Sequence, residues 1–182
     1  MGCRVSGLAG NLEFEGKHMG GVCPCPLSQG QVQMIKDSWN IIHKDISNIG
    51  VIVFTRLFEI HPECKDVFVL FREVKDLKIL KTSRELREHG LRVMSFIEKV
   101  VARLDNLERL EALAVELGRH HYNYNAPAEY YDYMVEDFIS AVQPAIKDRW
   151  TTELEEAWRA LFRYVTKQMK KGYEEAKAPL AP

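Results

Sequence analysis

Residues 86–121 run LREHGLRVMSFIEKVVARLDNLERLEALAVELGRHH, and the spacing of the apolar positions in this stretch decides the fold. Leu86, Val93, Phe96, Ile97 and Val100 recur in steps of three and four, the mark of one buried helical face, and His89 stands among them. Beyond Asp105 a second stripe of Leu110, Leu113, Ala114 and Leu117 leads to His121. Two helices, about 83–104 and 107–122, thus each carry one imidazole toward a core. His120 competes for the second place, but it lies about 100° around the helix from the Leu113, Leu117 stripe. A buried imidazole needs a partner, either a backbone carbonyl or a metal. Two of them facing each other across an apolar cleft suit haem.

The rest of the chain continues the helical pattern in both directions. Ser28 with Gln31 forms a capping box before Val32, Ile35, Trp39, Ile42 and Ile46, a first amphipathic helix. A second, about 48–60, holds Ile49, Ile52, Phe54, Leu57 and Phe58 and stops near Pro62. Residues 62–83 are irregular, with Phe68 and Phe71 three apart, and read as a corner. A further helix begins beside Pro127, with Tyr131, Met134, Phe138 and Val142 as its stripe. Thr152 with Glu155 gives another capping box, followed by Leu154, Trp158, Leu161, Phe162, Val165 and Met169 in a last helix ending near Gly172. No alternating strand pattern competes. The expectation is an all-α domain over residues 28–173, a flexible N-terminal arm over 1–27 and a tail over 174–182.

Composition bounds the function. With 182 residues and 46% hydrophobic content, the chain suffices for one well-packed core. Lysine and arginine total 25 against 26 acidic residues, so no long-range field favours nucleic acid. No run approaches the ~20 apolar residues of a membrane span, and no secretory signal is present, which predicts a cytosolic protein or one on a cytosolic membrane face. Of Cys3, Cys23, Cys25 and Cys64, only Cys64 lies in the expected domain, so a disulfide framework is not expected. Cys23 and Cys25 flank Pro24, where a mutual bridge would be strained, and His18 alone does not complete a zinc site.

The first six residues, Met1-Gly2-Cys3-Arg4-Val5-Ser6, match the myristoylation pattern, with Cys3 beside it as a palmitoylation candidate. One myristoyl chain binds membranes only reversibly, and a second chain on Cys3 makes anchoring stable. The arm, with its six glycines, would then tether a mobile domain.

Trp39, the pair Phe54 and Phe58, Pro62 followed by Phe68 and Phe71, His89 with Val93, and Leu117-Gly-Arg-His-His121 together resemble the globin family over residues 28–173. The resemblance is strongest to its neuroglobin side and to the membrane-associated globin X group. It implies about eight helices around a pocket for haem b, with His121 as the proximal iron ligand and His89 as the distal one. It further implies that Phe68 stacks on the porphyrin, Phe71 closes the corner beneath it, and Val93 lies over the haem plane. Phe54 and Leu117 would shape the pocket, and Arg92 would reach a propionate.

These assignments lead to a tethered, six-coordinate redox globin on the cytoplasmic face of the plasma membrane. O2 and NO would be its ligands, with CO and nitrite as further candidates. Nitrite reduction or NO dioxygenation would need an external reductase, because nothing in the sequence resembles a flavin or nicotinamide domain. Oxygen storage, transport or diffusion is the alternative, as is a sensor in which displacement of His89 alters a partner interface. A helical bundle without haem is the remaining possibility.

Overall fold

The computed structural model describes residues 27–178, and all regular structure among them is helical. Helix α1 (Gln29–Ile42) opens with the expected capping box: Ser28 Oγ accepts from Gln31 N at 3.2 Å while Gln31 Oε1 accepts from Ser28 N at 2.9 Å. A single 3-10 turn, His43–Asp45, separates it from α2 (Ile46–Ile60), so Ile46 starts the second helix rather than ending the first. Pro62–Val67 forms a 3-10 segment, followed by α3 (Leu77–Thr82), a short helix that the irregular pattern of the corner concealed. Then come α4 (Arg84–Val101), α5 (Leu107–Asn123), α6 (Tyr133–Ile146) and α7 (Thr152–Lys177).

Seven α-helices therefore stand, among the described residues, where about eight helices were expected; the segment after Pro62 takes 3-10 form instead. Pro127 precedes a 3-10 turn (Ala128–Tyr131) and does not itself start α6. The N-cap of α7 is Thr151, whose hydroxyl accepts from Leu154 N at 3.2 Å, not Thr152. Glu155, the expected capping partner, instead accepts from Trp150 Nε1 at 3.2 Å and Arg159 Nε at 2.9 Å. At the domain limits, Leu27 is buried in the core and α7 runs on past Gly172 to Lys177.

The centre of the core is Trp158 of α7, fully buried against Trp39 (6.4 Å between ring centroids) and Phe138 (5.0 Å). Its indole N–H donates to Ser38 Oγ at 3.1 Å, which donates to Ile35 O at 2.9 Å, so these two buried polar groups are satisfied. A second apolar cluster, with Phe54, Phe58, Phe71, Leu80 and Leu86, lies beneath the corner and α3.

Two helix crossings are set by glycine. A Cβ on Gly118 would stand 1.9 Å from Met169 O, and one on Gly172 would stand 1.9 Å from Val115 O. The backbones of α5 and α7 thus touch where no other residue fits. Gly50 of α2 and Gly90 of α4 face one another in the same manner, each added Cβ meeting the other's backbone at 2.8 Å. Gly172 consequently sits inside α7 as a packing residue, not at its end.

Alanine ordinarily gains about 0.5–1 kcal/mol over glycine inside a helix, whereas overpacking costs roughly 1–3 kcal/mol. Gly118→Ala should therefore destabilise, lowering the melting temperature by at least several degrees, while Gly30→Ala, whose Cβ meets nothing closer than 3.9 Å, should be neutral or slightly stabilising. Thermal unfolding of both variants checks the sign.

Candidate functional site

Helices α2, α4, α5 and α7 and the corner after Pro62 enclose a cavity of about 860 Å³, a size usual for a small-molecule or cofactor site, roughly 300–1,000 Å³. His89 and His121 both line it, with Phe54, Phe68, Phe71, Arg92, Val93 and Leu117. Every pocket position singled out in the sequence is thus brought to one space. Gly2 and Cys3, as well as His18, Cys23 and Cys25, lie outside the described residues.

His121 hangs from the last turn of α5. Its Nδ1 lies 2.9 Å from Leu117 O, four residues back. A carbonyl can only accept, so Nδ1 carries the proton and Nε2 keeps a lone pair. Such an N–H to a backbone carbonyl is the usual second partner of a metal-binding imidazole. Burial keeps the ring neutral by pushing its pKa down, against the Leu117 bond that raises it. Tyr131 packs edge-on against the ring at 5.2 Å. His120, the competing candidate, is exposed and pairs with Glu116 Oε1 at 3.3 Å.

His89 sits in an aromatic cage. Phe54, Phe68 and Phe71 meet its ring edge-on at centroid distances of 4.7, 5.0 and 6.1 Å. Burial, then the charge of Arg92, then His121 push its pKa down to about 4. Arg92 Nη2 stands 3.5 Å from His89 Nδ1. A guanidinium can only donate, so this long contact favours the tautomer with the proton on Nε2. The two imidazoles therefore differ: His121 offers a lone pair, whereas His89 in this tautomer offers a hydrogen-bond donor.

Further lining residues had no separate signal in the sequence. Phe96 and Ile97 of α4, Tyr131, and Phe162, Val165 and Met169 of α7 belong to apolar stripes, where burial against a cavity and burial against another helix look alike. Cys64 also lines the cavity, and its thiol is pushed up to about 12 by burial and by the nearby Glu63 and Asp137, which makes it a poor nucleophile. Among the described residues no group of three or more His, Cys, Asp or Glu side chains could hold a metal ion. Two imidazoles in an apolar cavity fit instead a metal that arrives with its own equatorial donors, as in a porphyrin.

Helices crossed over an apolar cleft with one imidazole on each wall define a globin-type protein. The family model described as Globin matches residues 51–169, and the chain belongs to the globin family. Neuroglobin of Danio rerio is 30% identical over 147 residues, covering 81% of this chain and 92% of that protein. Cytoglobin-1 of Oryzias latipes is 28% identical over 151 residues, covering 82% and 85%. In fold, the chain is similar to a crystal structure of a hexacoordinated heme protein from an anhydrobiotic tardigrade, with a TM-score of 0.78 at 21% identity, covering 85% of this chain and 99% of that one.

The depressed pKa of His89 gives a signed expectation for the haem-free chain. The unfolded state takes up a proton near pH 6.5 and the folded state only near pH 4, so stability is full above pH 6.5 and falls between those values. The total loss is on the order of 3 kcal/mol. Denaturant titrations at pH 7 and pH 4.5 should show a smaller difference for His89→Leu than for the wild type; equal differences would remove His89 as the cause.

Proposed function

We propose that this globin holds haem b between His121 and His89, binds O2 and NO, and works in one-electron redox chemistry at a membrane. The observation that carries the reading is the His121 Nδ1 to Leu117 carbonyl bond of 2.9 Å, which presents an unprotonated Nε2 to the cavity across from His89. Bound haem would supply an iron that exchanges one electron and takes a diatomic ligand.

The chain's own residues do the rest. His121 holds the iron and is oriented by Leu117 O. Phe54, Phe68, Phe71 and Val93 keep bulk water from the distal side. Arg92 is on the cavity wall and pairs with no carboxylate among the described residues, which leaves its charge for a propionate. His89 has two possible uses. With the proton on Nδ1, its Nε2 can coordinate, and an external ligand must then displace it, so apparent affinity falls by the fraction of open molecules. With the proton on Nε2, it donates a hydrogen bond to a ligand.

The second use favours the alternative of oxygen storage or diffusion with an open sixth position, and the Arg92 contact at 3.5 Å is the observation on its side. Coordination by both imidazoles keeps the iron similarly surrounded in its two oxidation states, which suits electron transfer, nitrite reduction or NO dioxygenation. Each of these needs an external reductase. Tethering to the cytoplasmic face of the plasma membrane would come from myristate on Gly2 and palmitate on Cys3, supported by the Met-Gly-Cys-Arg-Val-Ser motif. No helix among the described residues is long and apolar enough to cross a membrane.

His121→Ala should lose stable haem incorporation, measured as pigment retained through purification; unchanged content would refute His121 as the proximal ligand. The visible spectrum of the reduced, oxygen-free protein separates the two uses of His89. Two sharp bands that collapse in His89→Leu mean two imidazoles on the iron. A single broad band in both proteins means an open sixth position and favours oxygen storage.

A further inference from the structure

The corner and α3 present an unusual surface beside the cavity. Val69 and Leu70 line the cavity at its rim and are nevertheless 71% and 66% exposed, and Ile79 of α3 is 63% exposed. Inward-facing Phe71, Leu77 and Leu80 fasten this segment to the smaller core cluster. The same stretch of chain, from the corner through α3 to the start of α4, carries Lys75, Lys78, Lys81 and Arg87, all exposed and none paired with a carboxylate among the described residues. The nearby acids are largely committed: Glu73 pairs with Arg72, Asp76 caps α3 by accepting from Lys78 N, and Glu88 pairs with Arg84. Over residues 69–87 the chain carries six basic against three acidic side chains, on a protein whose net charge is −1.

We propose that this face docks on an anionic phospholipid surface and turns the cavity rim toward the bilayer. The occupant follows from composition. Protein interfaces are depleted in lysine and enriched in aromatic residues, whereas residues 69–87 combine lysines with exposed aliphatic side chains and carry no exposed aromatic, the exposed Tyr124 at the cavity belonging to the segment after α5. Lysines bury their methylene stems along apolar surface while their ammonium groups reach phosphates, and aliphatic side chains between them enter the headgroup boundary. Juxtamembrane basic residues each strengthen adsorption to acidic lipid by about fivefold. The choice of a lipid occupant rests on the membrane reading of the protein; the surface itself does not. Small apolar ligands, which concentrate in lipid, would then meet the cavity directly at Val69 and Leu70.

The test uses the full-length, haem-loaded chain made without acyl groups, sedimented with vesicles of phosphatidylcholine alone or with about one third phosphatidylserine. Binding should appear on the acidic vesicles only and weaken with salt. The triple variant Lys75→Glu, Lys78→Glu, Lys81→Glu should lose at least about tenfold in affinity, and Ile79→Ser should also lose severalfold. All four positions are exposed and none lines the cavity, and an unchanged haem spectrum shows that the fold is intact. Equal binding to both vesicles, no binding, or an unaffected triple variant overturns the proposal. Loss with the lysine variant alone, at unchanged binding of the aliphatic one, supports ionic docking on the lipid and overturns entry of the aliphatic side chains into the headgroup boundary. The acyl-anchor reading fails separately, if Gly2→Ala leaves the protein on membranes in cells.

Discussion

The contact on which the rest depends is the meeting of two backbones, α5 and α7, at Gly118 and Gly172. Each glycine lies against the other helix's carbonyl, at Met169 and Val115, in a space that a single methyl group would overfill. Because α5 cannot slide or rotate without breaking this contact, the last turn of the helix, three residues beyond Gly118, is fixed in space. His121 therefore needs only its own side-chain bond to Leu117 O to be aimed. The matching approach of Gly50 and Gly90 does the same for the opposite wall, since His89 adjoins Gly90 on α4. Two close crossings hold two adjacent imidazoles across one cavity. Cores transmit such constraints because they pack at crystal-like density.

Much of this was legible in the sequence, for a definite reason. His89 and His121 fall on apolar stripes of period 3.6, and burial of an imidazole is itself informative, since it costs desolvation and must serve something. What the stripes could not show is what each buried residue meets. Met169 and Val165 look identical to Trp158 as members of the α7 stripe, yet the first two line the cavity and the third fills the core. Helix ends were less legible still. Thr151 and Thr152 are equivalent by type, yet Thr151 is the cap, and Glu155 is held by Trp150 and Arg159 instead of serving a cap at Thr152. Gly172 resembled a helix terminator because glycine is the usual residue there; its packing use depends on a partner helix more than fifty residues away.

The chemical difference between the two histidines was not legible at all, because it is set by single neighbours. Leu117 O fixes the proton of His121 on Nδ1, leaving a base toward the cavity. Arg92, one turn beyond His89, biases the opposite tautomer. Burial depresses both pKa values, so neither ring competes for its role as an imidazolium. Neutrality is a condition for coordination, and in this fold it comes first from the apolar walls, with the charge of Arg92 adding to the effect at His89.

The aromatic cage decides how readily His89 can change partners. Three rings hold it, and Phe54, Phe58, Phe68 and Phe71 also hold one another at centroid distances of 5.4 to 6.1 Å. Moving the imidazole away from the cavity centre thus requires the corner itself to give. Phe68 and Phe71, which touch His89, belong to the same segment that carries Val69 and Leu70 at the rim. Were His89 the group that an external ligand displaces, the ligand would work against this cluster, and its apparent affinity would depend on how loosely the corner is packed as well as on the ligand. Whatever steadies or loosens the corner from outside would act on His89 through Phe68 and Phe71.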